Sequence, residues 1–311
     1  PFKTTIFPHL IDSHIGIVPV EGRSGITKFP NGRTFVTYQK EEYRKKYLTS
    51  EDTKVYSDKI SELACELYVK NKSDIIERLD SIFDFLYFDE CQDFVGYDYE
   101  ILKILFVKSK ISCVLAGDPR QHTYSTHATS KYKKYTGDIA AFIQEIVNGK
   151  KKQYVIIDKM SFVKSHRCPP SICNFASTIM PQFPKMESAN MRYCQTEHCK
   201  LVRQRDAENY INKFSPIALV WSSVAKNKVH SNISRIYNMG EVKGLDFHHV
   251  LIYPTKPMEK WIKDTNSELS GEARAKLYVA VTRANISTGI IVPNDFDVDN
   301  SMIQYWPNEI I

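Results

Sequence analysis

No apolar run in this 311-residue chain approaches the roughly 20 residues that a membrane-crossing helix needs. An integral helical membrane protein is therefore not expected. No secretory signal is visible, although that absence carries little weight in a chain that opens on Pro1 and not on Met. Internal repeats and low-complexity tracts are missing too, which sets aside solenoid architectures and compositionally driven disorder. The Gly-x-x-x-x-Gly-Lys-Ser/Thr phosphate cradle occurs nowhere in the sequence, so the ring of backbone amides that commonly holds a triphosphate is not supplied. Seven cysteines, an odd number, lack the paired spacing of a disulfide framework and suit reduced thiols in a cytoplasm. A strong excess of one charge is also absent, since 42 Lys and Arg against 36 Asp and Glu leave a net charge of +6. Clusters at Arg44, Lys45 and Lys46, at Lys131, Lys133 and Lys134, and at Lys150, Lys151 and Lys152 suit phosphate contacts through counterion release, although such runs are more often solvated loops. At 42% apolar residues the chain can bury two cores.

The most informative residues present are Leu86, Tyr87, Phe88, Asp89, Glu90, Cys91, Gln92 and Asp93. An apolar strand that ends in two carboxylates places them where an α/β sheet opens its ligand crevice. Asp89 there suits a Mg²⁺ ion, and Glu90 suits the orientation or deprotonation of an attacking water, because phosphoryl transfer rests mostly on positioning and electrostatics. For the acidic pair alone, a solvated turn is the competing explanation. Residues 94–109 follow with helical spacing, Tyr99, Ile101, Leu102, Leu105 and Phe106 falling mostly on one face. A second buried strand is expected at Ile111 to Leu115, running into Gly117, Asp118, Pro119, Arg120 and Gln121. This is a β-α-β unit, and its right-handed crossover brings Asp118 and Gln121 to the same sheet edge as Asp89 and Glu90. A plain Gly-Asp-Pro turn would explain that sequence by turn chemistry alone.

These residues resemble the UvrD/Rep-like branch of the superfamily one DNA helicases. Asp-Glu-Cys-Gln-Asp is similar to its Walker B motif and Gly-Asp-Pro-Arg-Gln to its motif III. Ser165, His166 and Arg167 resemble motif IV. Val242, Lys243, Gly244, Leu245, Asp246 and Phe247 resemble motif V, and Tyr278 through Ala284 resemble motif VI. The resemblance implies an α/β fold of two RecA-like domains with parallel sheets, the first incomplete at its N-terminus, spanning 1–158 and 159–311. It assigns catalytic roles to Glu90, Gln121, Arg167 and Arg283, the two arginines as planar forks for a γ-phosphate at the cleft between the domains. ATP and Mg²⁺ are the implied cofactors, with Asp89 (for Mg²⁺), Gln92, Asp118, Lys243, Gly244 and Asp246 as the binding residues. The run before Arg283 looks like a buried strand or the start of a helix, and an apolar strand is expected at Val250 to Tyr253.

Several positions depart from the family pattern. The missing P-loop is explained by truncation more simply than by natural loss, and the chain alone is then expected to hydrolyse ATP near background. Asp246 stands where the family has Glu, which shortens its reach toward a ribose by one methylene. In motif III, Tyr124 keeps the base-stacking position, but Thr126 replaces an expected Trp and His127 an expected Arg. Tyr124 and His127 are thus the implied contacts to single-stranded DNA, each stacked base contributing about 1–3 kcal/mol. Gly240 stands where relatives often carry His, and Thr4 to His14 has no convincing counterpart.

Between Arg167 and Lys243 lie 75 residues, too few for the large accessory subdomain of UvrD and Rep. A Tyr- and Lys-rich stretch at 20–55 suits a reduced insertion, and Pro181 to Glu208 suits a loop or partner surface. Cys168, Cys173, Cys194, His198 and Cys199 are numerous enough for a tetrahedral zinc, but they lack knuckle spacing, and Cys173 falls within a helix expected at Pro170 to Ile179, so zinc is not the preferred reading. Two classes of function remain. One is an ATP-driven motor on single-stranded DNA, 3′ to 5′ by resemblance, in repair, recombination or antiviral defence with a nuclease or similar partner. The other is a non-catalytic helicase-like module that binds DNA or a protein.

Overall fold

The computed structural model describes residues 16–18, 27–28, 34–35, 46–48, 54–123, 129–149, 152–190, 198–298 and 303–307. The chain divides into two compact units, the first Pro1–Pro119 with Tyr124–Ile157, the second Arg120–Thr123 with Asp158–Ile311. Both are α/β with parallel sheets. Among the described residues no helix is long and apolar enough to cross a membrane.

In the first unit, β1 (Gly16–Val18) pairs in parallel with β4 (Lys54–Tyr56), and β2 (Thr27–Lys28) pairs antiparallel with β3 (Thr34–Phe35). Helices α1 (Ile60–Lys70) and α2 (Lys72–Ile82) lead to β5 (Phe85–Phe88), which α3 (Tyr97–Lys108) joins to β6 (Ser112–Leu115). The expected β-α-β unit is therefore present, with Leu86 opposite Cys113 and Phe88 opposite Leu115 in parallel register. Tyr99, Ile101, Leu102 and Leu105 of α3 are buried with Leu86, Phe88 and Ile111, as their spacing predicts. Tyr99 also stacks on Phe142 at 4.6 Å and donates its hydroxyl to Tyr135 O at 2.8 Å. Phe142 ends the short α4 (Ile139–Phe142), which continues as a π-helical turn, Ile143–Asn148.

The strand at Ile111 to Leu115 is not the buried element that was expected. Ser112 and Val114 are exposed, and so are Phe85 and Tyr87 on the paired strand, whose side chains alternate between exposed and buried along β5. The physical reason is the two-residue period of a strand, which sends alternate side chains to opposite faces. Only one of those faces here joins the core that holds α3.

The second unit begins with β7 (Lys164–Ser165), α5 (Pro170–Ile179) and β8 (Glu187–Ser188), with β7 and β8 paired in parallel. There follow β9 (Cys199–Arg203), α6 (Ala207–Phe214), β10 (Ile217–Val220), β11 (Ile236–Asn238), β12 (Phe247–Ile252), α7 (Lys256–Lys263), α8 (Gly271–Val281), β13 (Ala284–Val292) and β14 (Gln304–Trp306). Six of the strands form one parallel sheet in the order β11-β10-β12-β13-β9-β14. Strands such as Ile217-Ala218-Leu219-Val220 are apolar at every position because helices cover both faces. Residues of α5, α7 and α8 pack with Leu219, Val250, Ile252 and Ile290 on one side, while Ala207, Tyr210 and Ile211 of α6 pack with Val202, Ala218, Leu251 and Ile291 on the other.

Three expectations change here. Pro181 to Glu208 is not one loop: it contains β8 and the core strand β9, where Leu201 and Val202 are fully buried. The Tyr-Val-Ala-Val run before Arg283 is the end of helix α8, neither a strand nor a helix start. The strand foreseen at Val250 begins earlier, at Phe247. The expected helix at Pro170 to Ile179 is present, with Pro170 in its first turn, where a missing N–H is harmless. Residues 4–14 and most of 20–55 lie outside the described residues.

Candidate functional site

In the first unit the candidate residues gather where β5 and β6 end. Beyond Phe88, Asp89 is exposed and Glu90 adopts the left-handed conformation, φ 55° and ψ 36°, which costs a non-glycine residue about 1–2 kcal/mol. The turn is fixed by hydrogen bonds on both sides: Glu90 N donates to Asp89 Oδ1 at 2.8 Å, and Cys91 N donates to Ala116 O at 3.1 Å. Gln92, only 1% exposed, holds the corner with both ends of its amide. Its Nε2 donates to Glu90 Oε2 at 2.5 Å, while its Oε1 accepts from Asp118 N at 3.0 Å. Gln92 therefore orients the carboxylate of Glu90 and ties it to the Gly-Asp-Pro segment.

Gly117 is what lets those segments approach. A Cβ there would lie 2.5 Å from Gln92 Oε1 and 2.7 Å from Cys91 Sγ, closer than real side chains pack. Cys91 is buried, and burial, followed by the nearby Asp89 and Glu90 carboxylates, pushes its thiol up to about 11. It is a packing residue and not a nucleophile. The exposed oxygens of Asp89 at a strand's carboxyl end suit Mg²⁺, which binds one or two carboxylates and takes its remaining ligands from phosphate and water. Among the described residues no group of three or more His, Cys, Asp or Glu side chains is placed to hold a metal ion.

In the second unit the candidates gather at the amino ends of β12 and β13. Phe247 and Ala284 are register partners, so the residues just before them, Asp246 and Arg283, share one sheet edge. Arg283, 2% exposed, is held by oxygens: Nε donates to Val279 O at 3.2 Å, Nη1 to Leu245 O at 3.3 Å and Nη2 to Gln121 Oε1 at 3.2 Å. Arg167 reaches the same turn, its Nη1 donating to Thr282 O at 3.5 Å, with Cys168 Sγ 3.4 Å from that carbonyl. Gln121 is brought here by Arg120, whose guanidinium lies over the Tyr278 ring at 5.0 Å and donates to Pro184 O at 3.5 Å.

The motif V turn supplies backbone. Gly244 has φ +82°, a conformation suited to glycine, in a turn closed by Leu245 N donating to Val242 O at 3.1 Å. That turn aims Leu245 O at Arg283. Lys243 is half-buried and Asp246 exposed, the latter accepting from Asn285 Nδ2 at 3.5 Å. Sequence reasoning missed Asn285, although it follows the motif VI residues directly, and missed the Leu245 carbonyl, which only the fold discloses.

Asp89, Glu90, Gln92 and Asp118 thus come together in the first unit, and Gln121, Arg167, Gly244, Asp246 and Arg283 in the second. Tyr124, His127 and Cys194 lie outside the described residues. Cys168, Cys173 and Cys199 are buried, and Cys173 donates to Cys168 O at 3.4 Å, its thiol pushed up to about 12 chiefly by burial.

The sequence matches the model of the viral superfamily 1 RNA helicase core domain over residues 67–292. Among solved structures it is similar to the PRRSV helicase, with 17% identity over 67% of this chain and 35% of that one and a TM-score of 0.36. It is similar to arterivirus nonstructural protein 10, a helicase, with 17% identity over 67% and 39% of the two chains and a TM-score of 0.37. A third is the C-terminal domain of a possible DNA helicase from Lactobacillus plantarum WCFS1, with 12% identity over 45% and 98% and a TM-score of 0.29. The chain spans little more than a third of the length of the two viral helicases. No curated protein matches the sequence.

Proposed function

We propose, for a chain that belongs to the viral superfamily 1 RNA helicase core family, that it is part of a nucleoside-triphosphate-driven motor moving on a single strand of nucleic acid. The observation that carries this reading is Arg283, a buried guanidinium held at three nitrogens by Val279 O, Leu245 O and Gln121 Oε1. Burying a charge costs several kcal/mol. A helix end, a motif V turn and a motif III side chain all converge on this one, which suits a fork kept ready for phosphate.

The roles follow from chemistry. Glu90, oriented by Gln92, positions and deprotonates the attacking water. Arg283 and Arg167 stabilise charge that develops on the transferring phosphoryl group. Gln121 couples the motif III segment to Arg283, and Lys243 and Asp246 face the nucleotide from the motif V turn. Asp89 would hold Mg²⁺, which neutralises phosphate charge when bound. Such a motor is the reading preferred over a non-catalytic module, because a module has no use for a strained, oriented Glu90 and a preset Arg283.

Two polynucleotides have support. The family description names RNA, while the Asp-Glu-Cys-Gln-Asp and motif VI sequences resemble UvrD/Rep DNA helicases, which would add 3′-to-5′ travel, a role in repair, recombination or antiviral defence, and a nuclease or similar partner. ATP hydrolysis by the protein expressed from its entire reading frame, measured with single-stranded RNA, single-stranded DNA or neither, decides both questions. Stimulation by one strand is the expected result and identifies it. Background hydrolysis under all three conditions would overturn the motor.

A further inference from the structure

We propose that Asn190 is a positioning residue for the arginine corner, an inference that rests on the hydrolase reading above. Asn190 follows β8, is 9% exposed, and belongs to none of the helicase-like motifs. Its Nδ2 donates to Arg167 O at 2.7 Å and to Asn285 O at 3.2 Å. An amide nitrogen carries two hydrogens at a fixed angle in one plane. By donating to both carbonyls it sets the spacing between the segment that carries Arg167 and the segment that follows Arg283.

The surrounding bonds show that this bridge is built on both sides. Ser188 Oγ donates to Cys168 O at 2.8 Å and accepts from Asn190 N at 3.1 Å, and Ala189 N donates to Ser165 O at 2.8 Å. Residues 188–190 thus grip 165–168 at three points. On the far side, the Asn285 side chain pairs with His248 Nδ1 at 2.8 Å and with Asp246 Oδ2 at 3.5 Å. Through Asn190 and then Asn285, the motif IV backbone is connected to the motif V carboxylate, with Arg283 two residues from Asn285 in the same chain segment. A displacement of about 1 Å at such a group can cost roughly 10²-fold in rate, so a side chain that touches no nucleotide can still control turnover.

The test uses Asn190→Leu, which keeps the shape without a donor, and Asn190→Ser, which keeps one hydroxyl donor. Two readouts are taken on the whole protein: the guanidinium Nε–H resonances of Arg167 and Arg283 by NMR, with Arg78 of α2 as internal reference, and kcat and KM for strand-stimulated ATP hydrolysis. The expected result for Asn190→Leu is displaced Arg167 and Arg283 resonances, an unchanged Arg78 resonance, and kcat lower by about tenfold or more with KM within about twofold. Asn190→Ser should recover part of both. Unmoved arginine resonances, or a normal kcat in the folded variant, would overturn the proposal. Should Asn190→Leu fail to fold, Asn190→Ser decides through the same two resonances. If the wild-type protein does not hydrolyse ATP, the motor reading fails, while the resonances still decide whether Asn190 positions the arginines.

Discussion

The two charged corners are built on opposite plans. Among the described residues, the acidic corner of the first unit sits on a two-stranded sheet with one largely apolar face exposed; Asp89 is exposed and Glu90 half-buried. Its precision comes from one buried side chain, Gln92, and from a left-handed residue. The arginine corner of the second unit sits on a six-stranded sheet covered on both faces, and Arg283 is buried against oxygens. In the proposed motor this difference matches the tasks assigned to the two groups. A carboxylate that binds a hydrated metal or a water keeps its own hydration until ligand arrives, whereas a guanidinium that must meet a transient charge works best when its orientation is set in advance.

The largest expected effect breaks the second plan. Arg283→Lys keeps the charge but loses the planar fork that reaches three acceptors at once. Strand-stimulated hydrolysis should fall by about 10³-fold, the order found when an arginine finger is removed, and the thermal midpoint should fall as well, because the carbonyls of Val279 and Leu245 lose donors. Normal hydrolysis in a steady-state assay would show that Arg283 is a structural cation.

Glu90→Gln breaks the first plan instead. The substitution preserves size and an oxygen that accepts from Gln92 Nε2, so the corner should stay folded. Turnover should nevertheless drop by about 10²-fold or more, as expected for loss of a general base, with nucleotide affinity and thermal midpoint little changed. The contrast between the two variants is the point: one loses activity together with stability, the other activity alone. A stability loss in Glu90→Gln as large as in Arg283→Lys would erase the distinction between the corners.

Much of this was legible in the sequence because local patterns carried it. The β-α-β unit followed from an apolar strand, a helical face through Tyr99, Leu102 and Leu105, and a second strand, all within 30 residues. The charged residues of each corner were likewise named by position in short motifs. What stayed hidden depends on long-range contacts. Nothing near Gln121 in the chain indicates that its side chain meets Arg283, 162 residues away, and nothing near Asn190 indicates that it bridges Arg167 and Asn285. The polar residues around Pro181 concealed β9 because the strand is only five residues long and opens on Cys-Lys, and its burial comes from β13 and β14 on either side. β6 is half-exposed where a buried strand is expected, because an apolar run does not reveal how many of its faces are covered.

Two glycines sharpen the comparison at smaller magnitude. A Cβ on Gly117 would collide with Gln92 Oε1 and Cys91 Sγ, while one on Gly289 would lie 2.9 Å from both Leu251 Cδ1 and Tyr210 Cζ. Each Gly→Ala change should destabilise its own unit by about 1–3 kcal/mol, as overpacking does. Only Gly117→Ala should also reduce kcat, since the displaced Gln92 no longer orients Glu90. Denaturant midpoints beside kcat values for the two variants test this, and equal effects on kcat would remove Gln92 from the positioning role.

The smallest effect concerns protons in the second unit. His249 at the start of β12 is half-buried, packs on Phe214 with ring centroids 5.2 Å apart, and shares a hydrogen bond with Ser287 Oγ at 2.8 Å. Burial first, and then the neighbouring His248 and His198, hold it below the ordinary histidine value of 6.5. The native state therefore prefers the neutral ring, and the unfolded chain takes up a proton at the ordinary value. Stability is insensitive to this group above about pH 7 and declines as pH falls below 6.5, where the unfolded state binds more protons. His249→Gln keeps a hydrogen-bonding partner for Ser287 but cannot titrate. Thermal midpoints measured from pH 8 down to pH 5.5 should fall more steeply for the wild type than for this variant in the acidic half of the range, and coincide in slope above pH 7. Parallel curves throughout would mean that His249 contributes nothing to the acid sensitivity of this sheet edge, and that its contact with Ser287 serves packing alone.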